Sequence, residues 1–254
     1  MEAYTDFASV YDKFMDETPY EQWSQNIKNV LEEYEIRDGL VLELGCGTGS
    51  MTELLAGMGY DMIGIDCSEE MLNIASSKKE QSGHDILYLN QDMREFELYG
   101  TVRAVVSVCD SLNYLLEKEE LVACFKLVNN YLDPKGIFFF DFNTNYKYET
   151  VIGDTVIAEN RDDCSFIWEN FYDPEEKINE YDLTIFVREE KAQEMDLFRK
   201  FEETHFQRGY DLEEIKQCLK LSGMEFVRAF DADTLGEVTA ESERIYCIAR
   251  ENGK

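Results

Sequence analysis

The stretch 41–49, VLELGCGTG, constrains the fold of this chain more than any other. An apolar run is followed by glycines at alternate positions, and residues 50–57 then show a helical pattern. The order is therefore strand, glycine loop and helix. Glycine permits a sharp bend and the close approach of a ligand to the backbone. The N–H groups at the start of the following helix point towards such a ligand.

The spacing of the glycines separates two kinds of cofactor. The dinucleotide fingerprint is G-x-G-x-x-G, which Gly45 and Gly47 fit, but here the third glycine is Gly49 and Ser50 stands where glycine is expected. The pattern E-x-G-x-G-x-G resembles motif I of class I S-adenosylmethionine-dependent methyltransferases, of the small bacterial type that acts on small molecules. The resemblance implies that these glycines and Cys46 approach the amino-acid end of S-adenosylmethionine. The alternative is an ordinary strand-to-helix turn with incidental glycines.

Two acidic residues in this region have predicted cofactor roles. The resemblance implies that Glu43 faces the ammonium group of the cofactor. Residues 62–66 read as a second strand, and Asp66 follows Gly47 at close to the spacing of about 20 residues at which a carboxylate accepts bonds from ribose hydroxyls. A helix cap is the other interpretation of Asp66, although Ser68 is better placed for it.

A third predicted strand, 86–89, precedes Asp92 and Met93. In the family that the chain resembles, an acid at this place bonds the adenine amino group, and the next residue packs on the ring. An ordinary loop acid is the alternative. Three further cofactor contacts are predicted near the strand ends: Cys67, Met71 and Cys109.

The fourth strand is predicted at 104–108, and a turn at 132–136 precedes a fifth strand at 137–142. Asp110 and Asn113 follow the fourth strand, where open α/β sheets bind ligands, so they are candidates to contact cofactor or acceptor. Asp110 could equally cap the next turn. We assign Asp110 to the cofactor site.

From residue 155 to about 206 the pattern changes to period two, with a hairpin turn at 173–176. A capping box at Asp211 and Glu214 then begins a helix, and strands follow at 224–230 and 245–250. The resemblance implies a Rossmann-like, doubly wound α/β fold of seven strands in the order 3-2-1-4-5-7-6, the last antiparallel. We predict a cofactor-binding domain of residues 1–150 and 209–254, with a small antiparallel sheet, 151–208, inserted over the acceptor.

Two segments supply the predicted catalytic residues. Residues 1–35 read as helices, with Tyr4 and Tyr11 at helical spacing, and the resemblance implies a lid that brings Tyr11 and Trp23 near the site. Packing of these helices on the sheet is the alternative. His205 is the inserted segment's only histidine, and a neutral imidazole can accept a proton. A strand histidine bonded to a neighbouring acid is the other interpretation. We predict catalytic roles for Tyr11 and His205.

Composition excludes several classes of partner. With 54 acidic and 24 basic residues the net charge is −30, so the surface repels phosphate backbones and anionic lipids, and we expect neither nucleic acid nor membrane as partner. Two distant histidines predict no metal site. Seven cysteines without C-x-x-C, and no signal peptide, favour reduced thiols in the cytoplasm. We expect a monomer or homodimer.

The predicted function is methylation of nitrogen or oxygen in a small-molecule acceptor by direct in-line displacement. Proximity and orientation supply roughly 7–11 kcal/mol in such reactions. Two alternatives remain: a non-catalytic, regulatory protein that binds S-adenosylmethionine, and a nucleotide-dependent oxidoreductase, which Ser50 disfavours.

Overall fold

A computed structural model describes residues 7–189 and 197–254. Within them the helices are α1 Ala8–Phe14, α2 Tyr20–Glu33, α3 Ser50–Gly57, α4 Glu69–Ser82, α5 Lys118–Tyr131 and α6 Leu212–Leu221, with a 3₁₀ turn at Ser111–Tyr114 and a π-helical turn at Lys147–Ile152. The strands are β1 Gly39–Leu44, β2 Tyr60–Asp66, β3 Ile86–Asn90, β4 Val102–Ser107, β5 Leu132–Asn143, β6 Val156–Asn160, β7 Cys164–Asp173, β8 Ile178–Arg188, β9 Phe198–Arg208, β10 Glu225–Asp231 and β11 Arg244–Arg250.

The larger sheet has the order β10-β11-β5-β4-β1-β2-β3, and β11 runs antiparallel to both of its neighbours. This confirms the predicted order and the antiparallel last strand. Helices α2 and α3 pack on one face through Ile27, Leu31 and Leu55. Helices α5 and α6 pack on the other through Phe125 and Ile215. The central strands are buried between these layers, so the carboxyl ends of β1, β2 and β4 open along one edge.

The turn expected at 132–136 is wrong in detail, because β5 already begins there. Val102 pairs with Leu132, and Ala104 pairs with Ile137, so the residues between them bulge out of the sheet. Lys135 adopts a left-handed conformation, with φ 66°. Its N–H donates to Oε2 of Glu251 at 2.8 Å, a contact from the chain's last segment that stabilises the bulge.

The inserted segment forms a four-stranded antiparallel sheet in the order β6-β7-β8-β9, as the period-two pattern predicted. The hairpin turn between β7 and β8 lies at the expected place. Tyr181, Leu183 and Ile185 alternate along β8 and are buried against Val10 of α1. The inward face of this sheet therefore packs on the N-terminal helix.

Helix α1 lies between the glycine loop and the inserted sheet. Oδ1 of Asp12 accepts a hydrogen bond from Thr48 at 2.6 Å, and its Oδ2 pairs with Lys78 at 2.7 Å. At the other end, the Phe7 N–H donates to Glu203 of β9 at 2.9 Å. The helix thus joins both parts of the fold. Tyr4, the first residue of the predicted helical pattern, lies outside the described residues.

All seven cysteines are free thiols. Among the described helices, none combines the length and the apolar character needed to cross a membrane. Residues 7–189 and 197–254 contain no group of three histidine, cysteine or acidic side chains that could hold a metal ion.

Candidate active site

A cavity of about 600 Å³ lies at the carboxyl ends of β1, β2 and β4, and we call it the glycine-loop cavity. Most of the predicted site residues line it: Tyr11, Glu43, Gly45, Cys46, Gly47, Asp66, Cys67, Met71, Asp92, Met93 and Cys109. Gly49, Asp110 and His205 do not. The cavity also contains Tyr20, Arg94 and Tyr114, which the sequence did not single out as site residues.

The three glycines of the loop have different tasks. All have positive φ, at 65° for Gly45, 52° for Gly47 and 76° for Gly49. A Cβ at Gly45 would lie 2.7 Å from Cβ of Ser111, and one at Gly49 would collide with the ring of Tyr88. A Cβ at Gly47 would meet nothing within 4 Å. Packing thus requires glycine at 45 and 49, whereas Gly47 leaves open space for a ligand.

Two carboxylates, the buried Glu43 and the half-buried Asp66, line this cavity without an ion-pair partner among the described residues. Glu43 accepts a hydrogen bond from Thr52, and burial raises its pKa to about 8. Asp66 accepts hydrogen bonds from the N–H groups of Gly47 and Ser68, both at 2.8 Å, and burial raises its pKa as well. Because a buried charge is costly without a partner, the arrangement favours a cationic ligand.

The N-terminus of α4 shows that Asp66 is not the residue that caps this helix. The side chain of Ser68 caps this helix, accepting from the Met71 N–H at 3.2 Å. Asp66 instead ties the tip of β2 to the glycine loop through Gly47. Asp66 is nevertheless one of the residues that line the glycine-loop cavity.

Asp92 and Met93 lie together at the far side of the glycine-loop cavity, but Asp92 already has a partner. Nε of Arg94 donates to Asp92 at 3.0 Å, and Nη1 of the same guanidinium donates to Glu120 at 2.7 Å. Burial acts to raise the pKa of Asp92, and the bonds from Arg94 outweigh it, so the pKa is lowered. A ligand at Asp92 therefore meets an ion-paired carboxylate.

A second cavity, of about 290 Å³, lies between α1, the end of β5 and the inserted sheet, and we call it the insertion-side cavity. Tyr11 and Cys109 line both cavities, so the two are adjacent. Three charged side chains line it: Asp110, Lys147 and Arg244. Its aromatic lining residues are Phe7, Tyr11, Phe14, Trp23, Tyr148, Phe166, Trp168 and Tyr181.

The backbone between the two cavities is strained. Cys109 and Asp110 have φ values of 58° and 52°, a conformation that costs non-glycine residues about 1–3 kcal/mol each. The buried carboxylate of Asp141 accepts from both of their N–H groups, at 3.1 and 2.8 Å. Nη1 of Arg244 donates to the same carboxylate at 2.8 Å. Together, Asp141 and Arg244 hold this corner in place.

Asp110 belongs to the insertion-side cavity. Its oxygens accept from Nη2 of Arg244 and from Nε2 of Gln207, both at 2.7 Å. Burial acts to raise the pKa of Asp110, but the neighbouring Arg244 outweighs it and the pKa is lowered. Its side chain does not cap the following turn.

Asn113, the other candidate after the fourth strand, lies in neither lining. It is fully buried, and its amide bonds the backbone of Asn143 and of Arg208 at 2.7–3.0 Å. It therefore joins the end of β5 to the end of β9.

His205 is buried at the centre of a hydrogen-bonded chain. Oη of Tyr114 lies 2.8 Å from Oη of Tyr181 and 3.3 Å from Nδ1 of His205. Nε2 of His205 lies 3.3 Å from Oε2 of Glu203. The imidazole also stacks on Tyr181, with ring centres 5.2 Å apart. His205 thus has the acidic neighbour of the structural interpretation. It lines neither cavity, but the two tyrosines beside it do: Tyr114 lines the first and Tyr181 the second.

The family model and the curated relatives that match this chain are all described as methyltransferases. The family model described as a methyltransferase domain matches residues 41–136. A Bacillus subtilis (strain 168) protein named "Putative methyltransferase YqeM" is 39% identical over 98% of this chain and 97% of its own length. A dTDP-3-amino-3,4,6-trideoxy-alpha-D-glucopyranose N,N-dimethyltransferase of Streptomyces venezuelae is 31% identical over 52% of this chain and 55% of its own.

The fold leads to the same family. The crystal structure of an S-adenosylmethionine-dependent methyltransferase from Clostridium acetobutylicum ATCC 824 superposes with a TM-score of 0.87, at 28% identity, over 99% of this chain and 100% of the other. These similarities select the methyltransferase hypothesis over the oxidoreductase. The chain belongs to the class I S-adenosylmethionine-dependent methyltransferases, and S-adenosylmethionine is its cofactor.

Proposed function

We propose that the enzyme methylates a nitrogen or oxygen atom of a small molecule, which binds in the insertion-side cavity. One observation carries this proposal: the two cavities share Tyr11 and Cys109, and the second is only about 290 Å³. S-adenosylmethionine supplies an electrophilic methyl group when bound. The chain's task is then to align the acceptor atom for direct in-line displacement, since proximity and orientation dominate such reactions.

The residues of the glycine-loop cavity fit this cofactor. It carries an ammonium group, for which the buried carboxylate of Glu43 has no competing ion-pair partner among the described residues, and ribose hydroxyls, which can donate to the half-buried carboxylate of Asp66. The open space at Gly47 admits a ligand against the backbone. We assign the ammonium group to Glu43, the ribose hydroxyls to Asp66 and the adenine to Asp92 with Met93.

The remaining predicted contacts follow from their position in the lining. Cys46, Cys67 and Met71 line the cofactor side of the glycine-loop cavity, and Cys109 lies where cofactor and acceptor meet. Gly45 and Gly49 serve the site indirectly, because their lack of a side chain lets the loop pack on its neighbours. Asp110 serves the acceptor side.

The two parts of the fold divide the work. We propose that residues 1–150 and 209–254 form the cofactor-binding domain and that 151–208 form a lid over the acceptor. Phe166 and Trp168 of β7 and Leu183 of β8 line the insertion-side cavity, which supports the lid role. Helix α1 closes both cavities through Tyr11.

An amine or hydroxyl acceptor must lose a proton, and we propose that His205 receives it. Tyr181 contacts the acceptor side, and its hydroxyl is linked through Tyr114 to Nδ1 of His205. With its own proton on Nε2, facing Glu203, the imidazole accepts at Nδ1. Tyr11 orients the acceptor at the junction of the cavities.

The test is release of S-adenosylhomocysteine from the full chain, measured over a panel of small amines, phenols and carboxylic acids. We expect turnover with at least one compound, and mass spectrometry of the product then identifies the methylated atom. Turnover on a protein substrate, with none on any small molecule, would contradict the proposal.

A further inference from the structure

Two hydrogen-bond donors in the insertion-side cavity are not fully used by the protein. Among the described residues, Nζ of Lys147 donates only to Oδ1 of Asn143, at 3.1 Å. The indole Nε1 of Trp168 is buried and has no acceptor within hydrogen-bond distance in the described part of the chain. Buried donors without partners are rare in folded proteins, and at a cavity wall they indicate a missing acceptor atom.

The charged side chains of the insertion-side cavity also indicate a ligand that supplies acceptor atoms. The guanidinium of Arg244 forms ion pairs with two carboxylates, those of Asp110 and Asp141, at 2.7 and 2.8 Å. Lys147 forms no ion pair with any residue in 7–189 or 197–254. Burial lowers the pKa of Lys147, and the nearby Arg244 lowers it further, while the carboxylates of Asp110, Glu243 and Asp141 offset these effects only in part. An anion beside Nζ would offset both effects.

The rest of the cavity is suited to an apolar ring. Phe14, Phe166 and Tyr181 supply aromatic walls, and Leu183 adds an aliphatic one. Aromatic walls favour planar ligands, which stack or meet them edge to face. At about half the volume of the glycine-loop cavity, the space suits a single ring with short substituents.

We propose that the methyl acceptor is a small ring-bearing carboxylic acid. Its carboxylate binds between Nζ of Lys147 and the Trp168 indole N–H, and its ring packs among the aromatic walls. Because the carboxylate is held by these donors, the methylated atom is a separate amine or hydroxyl of the same molecule. The inference rests on the proposed function, since it names the class of acceptor for that site.

Calorimetry on the full chain saturated with S-adenosylhomocysteine tests the proposal. The probes are three carboxylates, each with its amide as a neutral partner of the same shape: 4-hydroxybenzoate, 4-aminobenzoate and phenylacetate. We expect at least one acid to bind about 10- to 100-fold more tightly than its amide, the range for a charge-assisted hydrogen bond. Lys147→Met should abolish this ratio, and Trp168→Phe, which keeps an aromatic wall, should reduce it severalfold.

The matched control is Lys220→Met, on the exposed side of α6, which should leave the ratio unchanged. Three results would overturn the inference: no acid binding more tightly than its amide, a ratio that survives Lys147→Met, or inorganic phosphate displacing the acid with equal affinity. The last would make the site a general anion site. Failure here is distinguishable from failure of the proposed function, because turnover of an uncharged small molecule would retain the function and reject the acid.

Discussion

The two cavities differ in how they treat buried charge. In the glycine-loop cavity, the buried Glu43 and the half-buried Asp66 have no ion-pair partner among the described residues, and desolvation raises the pKa of each. In the insertion-side cavity, Asp110 is paired with Arg244 and its pKa is lowered. There the ammonium of Lys147 forms no ion pair with a described residue, although the nearby carboxylates Asp110 and Asp141 act to raise its pKa.

This difference in the pairing of charged side chains indicates which ligand charge each cavity favours. A site that leaves acids unpaired is completed by a cation, and S-adenosylmethionine is one. We propose that the other site, in which Arg244 pairs with the acids and Lys147 has no ion-pair partner among the described residues, takes an anion.

The largest expected effect separates turnover from cofactor binding. His205→Ala should lower turnover by about 10²–10⁴-fold, the range for loss of a general base, and leave S-adenosylhomocysteine affinity nearly unchanged. Tyr114→Phe keeps the ring and removes the hydroxyl link, so it should reproduce part of the loss. Steady-state kinetics with the identified acceptor measures both.

The control is His84→Ala, which removes the chain's other histidine, a half-exposed residue bonded to Glu53. Turnover should be close to that of the parent. Full activity in His205→Ala would leave the inserted sheet as a shape filter without a base.

Arg244→Met breaks the internal charge balance of the insertion-side cavity. It leaves Asp110 and Asp141 buried without their cation, and removing one partner of a buried ion pair costs about 3–5 kcal/mol. Urea denaturation should show that loss in the free energy of unfolding. Arg228→Met, at an exposed pair with Glu33, should cost under about 1 kcal/mol.

Asp66→Asn and Asp110→Asn compare one carboxylate from each cavity. The first should weaken S-adenosylhomocysteine binding by about 10- to 100-fold, because it removes the negative charge and replaces one of the two acceptor oxygens that serve the ribose hydroxyls and Gly47 by a donor. The second should change that affinity far less. Calorimetry without acceptor measures both, and equal affinities in Asp66→Asn and the parent would remove Asp66 from the cofactor site.

Gly47→Ala and Gly59→Ala test whether the open space beside Gly47 is needed for cofactor binding. Both positions have positive φ and open surroundings, so the backbone penalty is similar, at about 1–2 kcal/mol. Only position 47 lines the glycine-loop cavity. We expect cofactor affinity to fall about tenfold in Gly47→Ala alone, and a similar loss in Gly59→Ala would attribute the effect to stability.

The smallest effect is a pH dependence. With a pKa of about 8, Glu43 is about one-tenth ionised at pH 7 and half ionised at pH 8. A cationic ligand binds the ionised form and releases the proton, so S-adenosylhomocysteine affinity should rise about fivefold from pH 7 to pH 8. Glu43→Gln should bind more weakly with a flatter profile, and a parent affinity that falls over this range would exclude Glu43 as the ammonium partner.

The sequence was most informative where function follows local order. In a doubly wound sheet the carboxyl ends of neighbouring parallel strands meet at one edge, so each residue that follows a strand falls near the same cavity. Asp66, at the tip of β2, was predicted near the glycine loop from strand periodicity and glycine spacing, and the resemblance added Glu43 and Met93; all three line the glycine-loop cavity. The family resemblance then supplied the strand order, including the antiparallel last strand.

What the tertiary structure alone decided lies on the acceptor side. Arg244 meets Asp110 from 134 positions away, and Gln207 from 97, and no local pattern marks such pairs. The different tasks of Gly47 and Gly49 likewise depend on whether Tyr88 occupies the space beside them. Period and spacing report which face a residue shares with its near neighbours, whereas charge balance, strain and open volume depend on contacts between distant segments. The sequence thus determined the cofactor half of this enzyme, and packing of the inserted sheet on α1 and β5 formed the cavity beside it.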